Sequence, residues 1–155
     1  MKQPSQGDPV EDKGSFAARC AARLREIEVG GGYGFGLFCQ EGFAGEVNLS
    51  NIRRGPAQTA LLGYWVDQGL AGRGLVPEGV VLALRFAFED LQLHRVEAGV
   101  LPRNAASLRV MDKLKLAHEG ISLVEMISTS NEYTIVVGNK DLDKAFSLLM
   151  GLRHR

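Results

Sequence analysis

Gly72 and Gly74 stand one residue apart in the stretch Ala71-Gly72-Arg73-Gly74-Leu75-Val76, between the apolar run Leu62-Gly63-Tyr64-Trp65-Val66-Asp67 and the helix-opening pair Pro77-Glu78. A strand, a glycine turn and a helix in that order build an anion site. A helix N-terminus carries roughly half a positive charge and several N–H groups without helical partners, and glycines just ahead of it let a phosphate approach the backbone. Pro77 suits a first helical position because its missing N–H would have no partner there. Arg73, inside the turn, reads either as a direct phosphate contact or as a solvated arginine.

Other chemistry-bearing residues are more scattered. Glu46, Asp67 and Glu97 are carboxylates that read as general bases or as solvated or salt-bridged strand-end residues, and His94, His118 and His154 are isolated. Cys20 and Cys39 are the only cysteines; without Cys-x-x-Cys or histidines at ligand spacing they read as buried or half-buried thiols, with no metal site. The run Gly30-Gly31-Gly32-Tyr33-Gly34-Phe35-Gly36 offers no Gly-x-Gly-x-x-Gly register and follows no strand, so it reads as a helix-to-strand link.

The elements that position these residues form one domain of 155 residues. With 18 Lys+Arg against 18 Asp+Glu the chain has no global field for nucleic acid or an anionic membrane, so a local site must do the electrostatic work. The polar start Met1 to Pro9 lacks the apolar centre of a signal peptide and no apolar run is long enough to span a membrane, which together imply a cytoplasmic setting. Met1 to Lys13 reads as disordered, Ser15 as the cap of a helix over Phe16 to Glu28 with Phe16, Cys20, Leu24 and Ile27 on its apolar side. Tyr33 to Gln40 and Phe43 to Asn51 read as a hairpin turning at Glu41-Gly42, and Ile52 to Gln58 as a loop. A helix from Pro77 to Leu91, a strand from His94 to Leu101 and a helix from Asn104 to Leu114 follow; Asn104 serves naturally as its N-cap and Ser107 as a first-turn serine. His118 to Ile127 and Glu132 to Val137 read as a last strand pair, and Asp141 to Leu152 as a terminal helix. Hairpin strands first and strand–helix–strand crossovers later imply an α/β fold, with the turn at the carboxyl end of the sheet.

Gly63-Tyr64-Trp65-Val66-Asp67, the Gly72-Arg73-Gly74 turn, Leu93-His94-Arg95-Val96-Glu97-Ala98 and Pro102-Arg103-Asn104-Ala105-Ala106-Ser107-Leu108-Arg109 together resemble the GNAT acetyltransferases, specifically those of RimJ/RimL type that acetylate ribosomal-protein alanines. The resemblance spans about residues 34 to 120. It implies a mixed, mostly antiparallel sheet with a central parallel strand pair flanked by helices. It divides the chain into a 1–13 segment, a 14–138 acetyltransferase domain and a 139–155 C-terminal helix or tail. It also implies acetyl-CoA as co-substrate, its pyrophosphate held by the backbone of Ala71, Gly72, Arg73, Gly74, Leu75 and Val76, although Ala71 and Val76 depart from the family's (Gln/Arg)-x-x-Gly-x-(Gly/Ala) pattern.

By the same resemblance, the backbone near Trp65 and Val66 stabilises the oxyanion, Asn104 binds the pantetheine arm, and Ser107 lies near the sulfur as a proton donor to the leaving thiolate. Arg53 and Arg54 read as contacts to the coenzyme's 3′-phosphate or an acidic substrate, or as a solvated loop. No strong base stands out, which bears on the acceptor. An α-amine of pKa about 7.7–8.0 is roughly a tenth neutral at pH 7, whereas a lysine amine of pKa about 10.4 is neutral about once in a few thousand molecules. The expected acceptor is therefore a protein or peptide N-terminus or a small amine. The alternative is a degenerate acyl-CoA-binding or interaction module without activity, and a nucleotide-binding α/β domain is a third.

Two departures from the family carry structural expectations. Only the polar Met1 to Lys13 precedes the first helix, which leaves Tyr33 to Gln40 as an exposed edge strand open to homodimer pairing. Lys115 in Asp112-Lys113-Leu114-Lys115-Leu116 replaces a helix-ending glycine, at a cost of about 1 kcal/mol if the positive φ persists.

Overall fold

Residues 13–101, 103–122, 132–138 and 147–148 are described by a computed structural model of the chain. The segment assigned to disorder, apart from Lys13, lies outside them, as does the terminal helix apart from the helical pair Ser147 and Leu148.

Helix α1 spans Lys13–Glu28, so Ser15 lies within it and does not cap it. Of its expected apolar stripe, Cys20, Leu24 and Ile27 do not meet the core. Cys20 is exposed, and Leu24 and Ile27 keep 62% and 41% of their surface in water. The sheet beneath explains the difference, because it offers a carboxylate there. Arg23 Nη2 donates to Glu46 Oε1 at 2.8 Å while its Nη1 donates to Glu26 Oε2 at 2.9 Å, and Asn48 Nδ2 donates to the same Glu46 oxygen at 3.3 Å. The helix docks through charge. Gly30 then ends it at φ +67°, with the Gly31 N–H donating to the Glu26 carbonyl at 2.8 Å.

Strands β1 (Tyr33–Cys39), β2 (Gly42–Arg53), β3 (Thr59–Val66), β4 (Arg95–Val100), β5 (Ala117–Ser122) and β6 (Glu132–Gly138) form one sheet in the order β1-β2-β3-β4-β6-β5. All neighbours are antiparallel except β3 and β4, the central parallel pair. The first hairpin turns at Gln40-Glu41, one residue earlier than expected, because Gly42 takes φ +112° and already pairs with Cys39. β2 runs on through Ile52 and Arg53, which shortens the following loop. Among the described strands β1 lies at the edge of the sheet, the place expected for Tyr33 to Gln40.

The connection between the parallel strands is helix α2 (Leu75–Arg85), continued by a π-turn over Phe86–Asp90 in which the Leu91 N–H reaches the Phe86 carbonyl at 3.0 Å. Val76, Val80, Val81 and Leu84 recur at helical spacing and bury against Val47, Leu49, Ala60 and Val96 of the sheet. Gly79 lets the helix come close: a Cβ there would sit 2.5 Å from Leu37 Cδ2 and 3.0 Å from Val47 Cγ2. Phe86 meets Tyr33 and Phe35 edge-to-face at 5.0 and 5.3 Å, pinning the edge strand to the helical layer. Helix α3 (Ala105–Lys113) adds Met111, and Leu114 and Leu116 just beyond it, to the same core. It ends on Lys115 at φ +53°, with the Leu116 N–H returning to the Met111 carbonyl at 3.1 Å. The left-handed residue persists without its glycine.

Candidate active site

β3 and β4 begin as a ladder and then part. Their register holds only for Thr59↔Arg95, Ala60↔Val96 and Leu61↔Glu97, although β3 continues to Val66 and β4 to Val100. Strand geometry decides which backbone groups face the gap. The Asp67 N–H donates to Ala44 of β2 at 2.7 Å and the Gln58 carbonyl accepts from His94 at 2.8 Å, so even-numbered β3 residues turn their amides toward β4. The N–H groups of Tyr64 and Val66 therefore point into the gap, and that of Trp65 points at β2. Of the pair expected near an oxyanion, Val66 has the suitable direction.

The gap opens into a cleft of about 550 Å³ whose walls include Tyr64, Trp65, Val66, Ala71, Gly72, Gly74, Leu75, Val76, Asn104 and Ser107. Residues far apart in sequence thus share one space, because the turn before α2 and the start of α3 both lie at the carboxyl end of the parallel pair. Arg73 is the one member of the expected set not on the wall. Its guanidinium donates to the Glu41 carboxylate at the tip of the first hairpin, and that bond raises the Arg73 pKa. The Glu41 carboxyl in turn is held down at about 2, through hydrogen bonds from Cys39 and Arg73.

The turn is built to leave its donors free. Gly72 and Gly74 take φ +79° and +85°, and Gly74 is the N-cap of α2 without a side-chain cap. Helix α2 therefore starts at Leu75, two residues ahead of Pro77, whose missing N–H falls among the groups a first turn leaves unpaired in any case. The first N–H of this helix with a protein acceptor is that of Glu78, which donates to the Gly74 carbonyl at 3.2 Å. Among the described residues, the N–H groups of Gly72 through Val76 donate to no protein carbonyl. A tight row of outward amides at a positive dipole end is the geometry that holds a phosphate.

At the facing wall Asn104 is the N-cap of α3, its Oδ1 accepting from the Ser107 N–H at 3.1 Å, so the capping residue also lines the cleft. The Tyr64 hydroxyl donates to the Ser107 carbonyl at 3.5 Å, and burial pushes its pKa up, so the phenol stays protonated at neutral pH. Sequence reading missed Tyr64 as a wall residue, together with Arg109 and Lys113, which add two cations. The signal was present: strand alternation puts Tyr64 with Val66, and Ala106, Arg109, Val110 and Lys113 follow at helical spacing.

The other candidates sit elsewhere. Arg53 and Arg54 are not on the wall, and Arg54 donates to the Leu91 carbonyl. Asp67 accepts from the Gly69 N–H at 2.8 Å as the cap of a short 3₁₀ turn over Gln68–Leu70, and Glu97 accepts from Arg95 at 2.8 Å. Among the described residues no three His, Cys, Asp or Glu side chains gather as a metal site, and no helix is long and apolar enough to cross a membrane.

Residues 3–117 match the acetyltransferase (GNAT) domain family. Over 92 residues the chain is 45% identical to the probable N-acetyltransferase YjcK of Bacillus subtilis, a stretch covering 58% of this chain and 51% of that protein. Over 120 residues it is 31% identical to the ribosomal protein uS5-alanine N-acetyltransferase of Escherichia coli, covering 73% of this chain and 62% of that one. In fold it is similar to Mycobacterium smegmatis RimJ in complex with CoA-disulfide, with a TM-score of 0.84 and 23% identity, covering 98% of this chain and 76% of that chain. The matched stretches thus amount to between about half and three-fifths of the length of these two curated relatives.

Proposed function

The chain belongs to the GNAT acetyltransferase domain family, and we propose that it transfers the acetyl group of acetyl-CoA to an α-amino group of a protein or peptide, or to a small amine. The observation that carries this reading is that Gly72, Gly74, Leu75 and Val76, whose amides donate to no backbone carbonyl among the described residues, line the same cleft as Val66, beyond the end of the β3–β4 register, and Ser107. The turn's amides and the α2 dipole take the pyrophosphate, with Arg109 and Lys113 adding positive charge along the wall. The pantetheine arm runs along β3, substituting for the strand partner that β4 ceases to be, beside Asn104.

The thioester carbonyl then sits against the Val66 N–H, which stabilises the oxyanion as the neutral amine attacks the carbonyl carbon. When the C–S bond breaks, the thiolate takes a proton from Ser107, or from Tyr64, which lines the same cleft, and the proton shed by the new amide nitrogen returns through solvent to that hydroxyl. An α-amine needs no strong base, since about a tenth is already neutral at pH 7. The E. coli relative, named for acting on an alanine of a ribosomal protein, supports an acceptor of that kind.

Acetyl-CoA-dependent release of free thiol, followed with peptides bearing free N-termini, tests the proposal. Turnover with such peptides is expected. Stabilisation by CoA with no acceptor turned over, across peptides and small amines alike, would reduce the protein to a binding module.

A further inference from the structure

Trp65 forms part of two clefts. Besides the one above, it lines a smaller cavity of about 310 Å³ on the α1 face of the sheet, walled by Phe43, Leu24, Arg19, Arg23 and Glu46. This second space lies directly behind the strand that holds the proposed oxyanion donor. Because the β3–β4 ladder stops at Leu61 and Glu97, the sheet is not closed by backbone pairing beside Tyr64 to Val66.

Its walls combine an apolar row with one anchored carboxylate. Phe43 and Trp65 line it and stand edge-to-face with centroids 5.7 Å apart, 49% and 37% exposed, and Phe38, off the wall, extends the row from Phe43 at 5.4 Å. An aromatic row left in water at the mouth of a cavity fits an apolar occupant. Glu46 is half-buried, and both hydrogen bonds it accepts, from Arg23 and Asn48, fall on Oε1. Among the described residues none falls on Oε2.

Resting on the function proposed above, we infer that this second cavity receives the acceptor, with its amine on Glu46 Oε2 and an apolar side chain next to that amine packed against Phe43 and Trp65. The charge balance narrows the class further. Arg23 shares its charge between Glu26 and Glu46, and Glu46 is the one carboxylate among the residues lining the cavity, so one amine finds a counter-charge there and a second finds none. The acceptor is a mono-amine whose first residue is apolar, such as a peptide beginning with leucine or phenylalanine, and not a polyamine.

Initial rates of thiol release from acetyl-CoA with peptides identical except for a first residue of Phe, Leu, Ala or Lys, and with spermidine, test this. The Phe and Leu peptides are expected to exceed the Lys peptide and spermidine at least tenfold in kcat/KM. Glu46→Gln is expected to raise the acceptor KM about tenfold with the KM for acetyl-CoA unchanged, and Glu46→Asp to restore part of the loss. Phe43→Ala, a change at a ring 49% exposed, is expected to erase most of the preference for Phe over Ala with the KM for acetyl-CoA unchanged. Spermidine or the Lys peptide as best acceptor, or selectivity unchanged in both Phe43→Ala and Glu46→Gln, overturns the inference and leaves the acetyltransferase reading standing. No turnover with any amine overturns both.

Discussion

Replacing Gly74 by alanine separates the conformation of the turn from its use. Gly74 sits at φ +85°, ψ 0°, and a Cβ built there meets no heavy atom within 4 Å, so the substitution strains the backbone without a clash. Holding an L-residue in that region costs about 1–2 kcal/mol, and the smaller unfolded-state entropy of alanine returns about 0.4–1 kcal/mol, for a net loss near 1 kcal/mol. For a chain of this size that corresponds to a fall in Tm of about 2–4 °C. Gly55 supplies the control, since it also has positive φ (+73°), also has nothing within 4 Å of its would-be Cβ, and lies off the cleft.

Gly55→Ala and Gly74→Ala should therefore lose similar stability. Their coenzyme binding should differ. If the Gly74→Ala turn relaxes toward a right-handed conformation its amides rotate away from the ligand, and restoring them on binding costs up to the same 1–2 kcal/mol, a loss of about 5- to 30-fold in acetyl-CoA affinity. Thermal melts give the first quantity and calorimetric titration the second. A Gly74→Ala protein with lowered Tm and wild-type affinity would show that the turn is strained but does not hold the coenzyme.

Further outcomes follow from other positions. Lys115 ends α3 at φ +53°, so Lys115→Gly should raise stability by about 0.5–1 kcal/mol, read as a higher denaturation midpoint with unchanged slope. Gly79→Val should do the opposite by about 1–3 kcal/mol, since its Cβ would press on Leu37 and Val47 at 2.5 and 3.0 Å. Ser107→Ala should lower kcat with little change in acetyl-CoA affinity if Ser107 gives the thiolate its proton, and unchanged turnover would remove it from the mechanism. With an α-amine acceptor, kcat/KM at saturating acetyl-CoA should climb about tenfold per pH unit below a pKa near 7.7–8.0 and then level off, because only the neutral amine attacks; a profile already flat at pH 6 would point to a different acceptor.

Much of this was legible in the residues and some was not, for physical reasons. The glycine turn follows from local rules, since a proline and glycines fix where one helix can start, whereas the central parallel pair and the left-handed Lys115 are legible through the family resemblance. The docking of helix α1 is not legible in its own residues, because the helical spacing of Cys20, Leu24 and Ile27 speaks only for the helix, while the surface it docks on is set by Glu46, far off in sequence. The same limit applies to Arg73, whose partner Glu41 is brought near only by the hairpin. Asn104 and Ser107 were found through family resemblance, whereas Tyr64 needed the divergence of β3 from β4, a feature of register that no single strand's sequence declares.

The most direct measurement follows backbone amide resonances as acetyl-CoA is added to the isotope-labelled protein. The proposed phosphate cradle requires saturable shifts at Gly72, Arg73, Gly74, Leu75 and Val76, together with Val66, and none of comparable size at Gly55. Saturation of binding with those amides unmoved, or no binding at millimolar coenzyme, would contradict it.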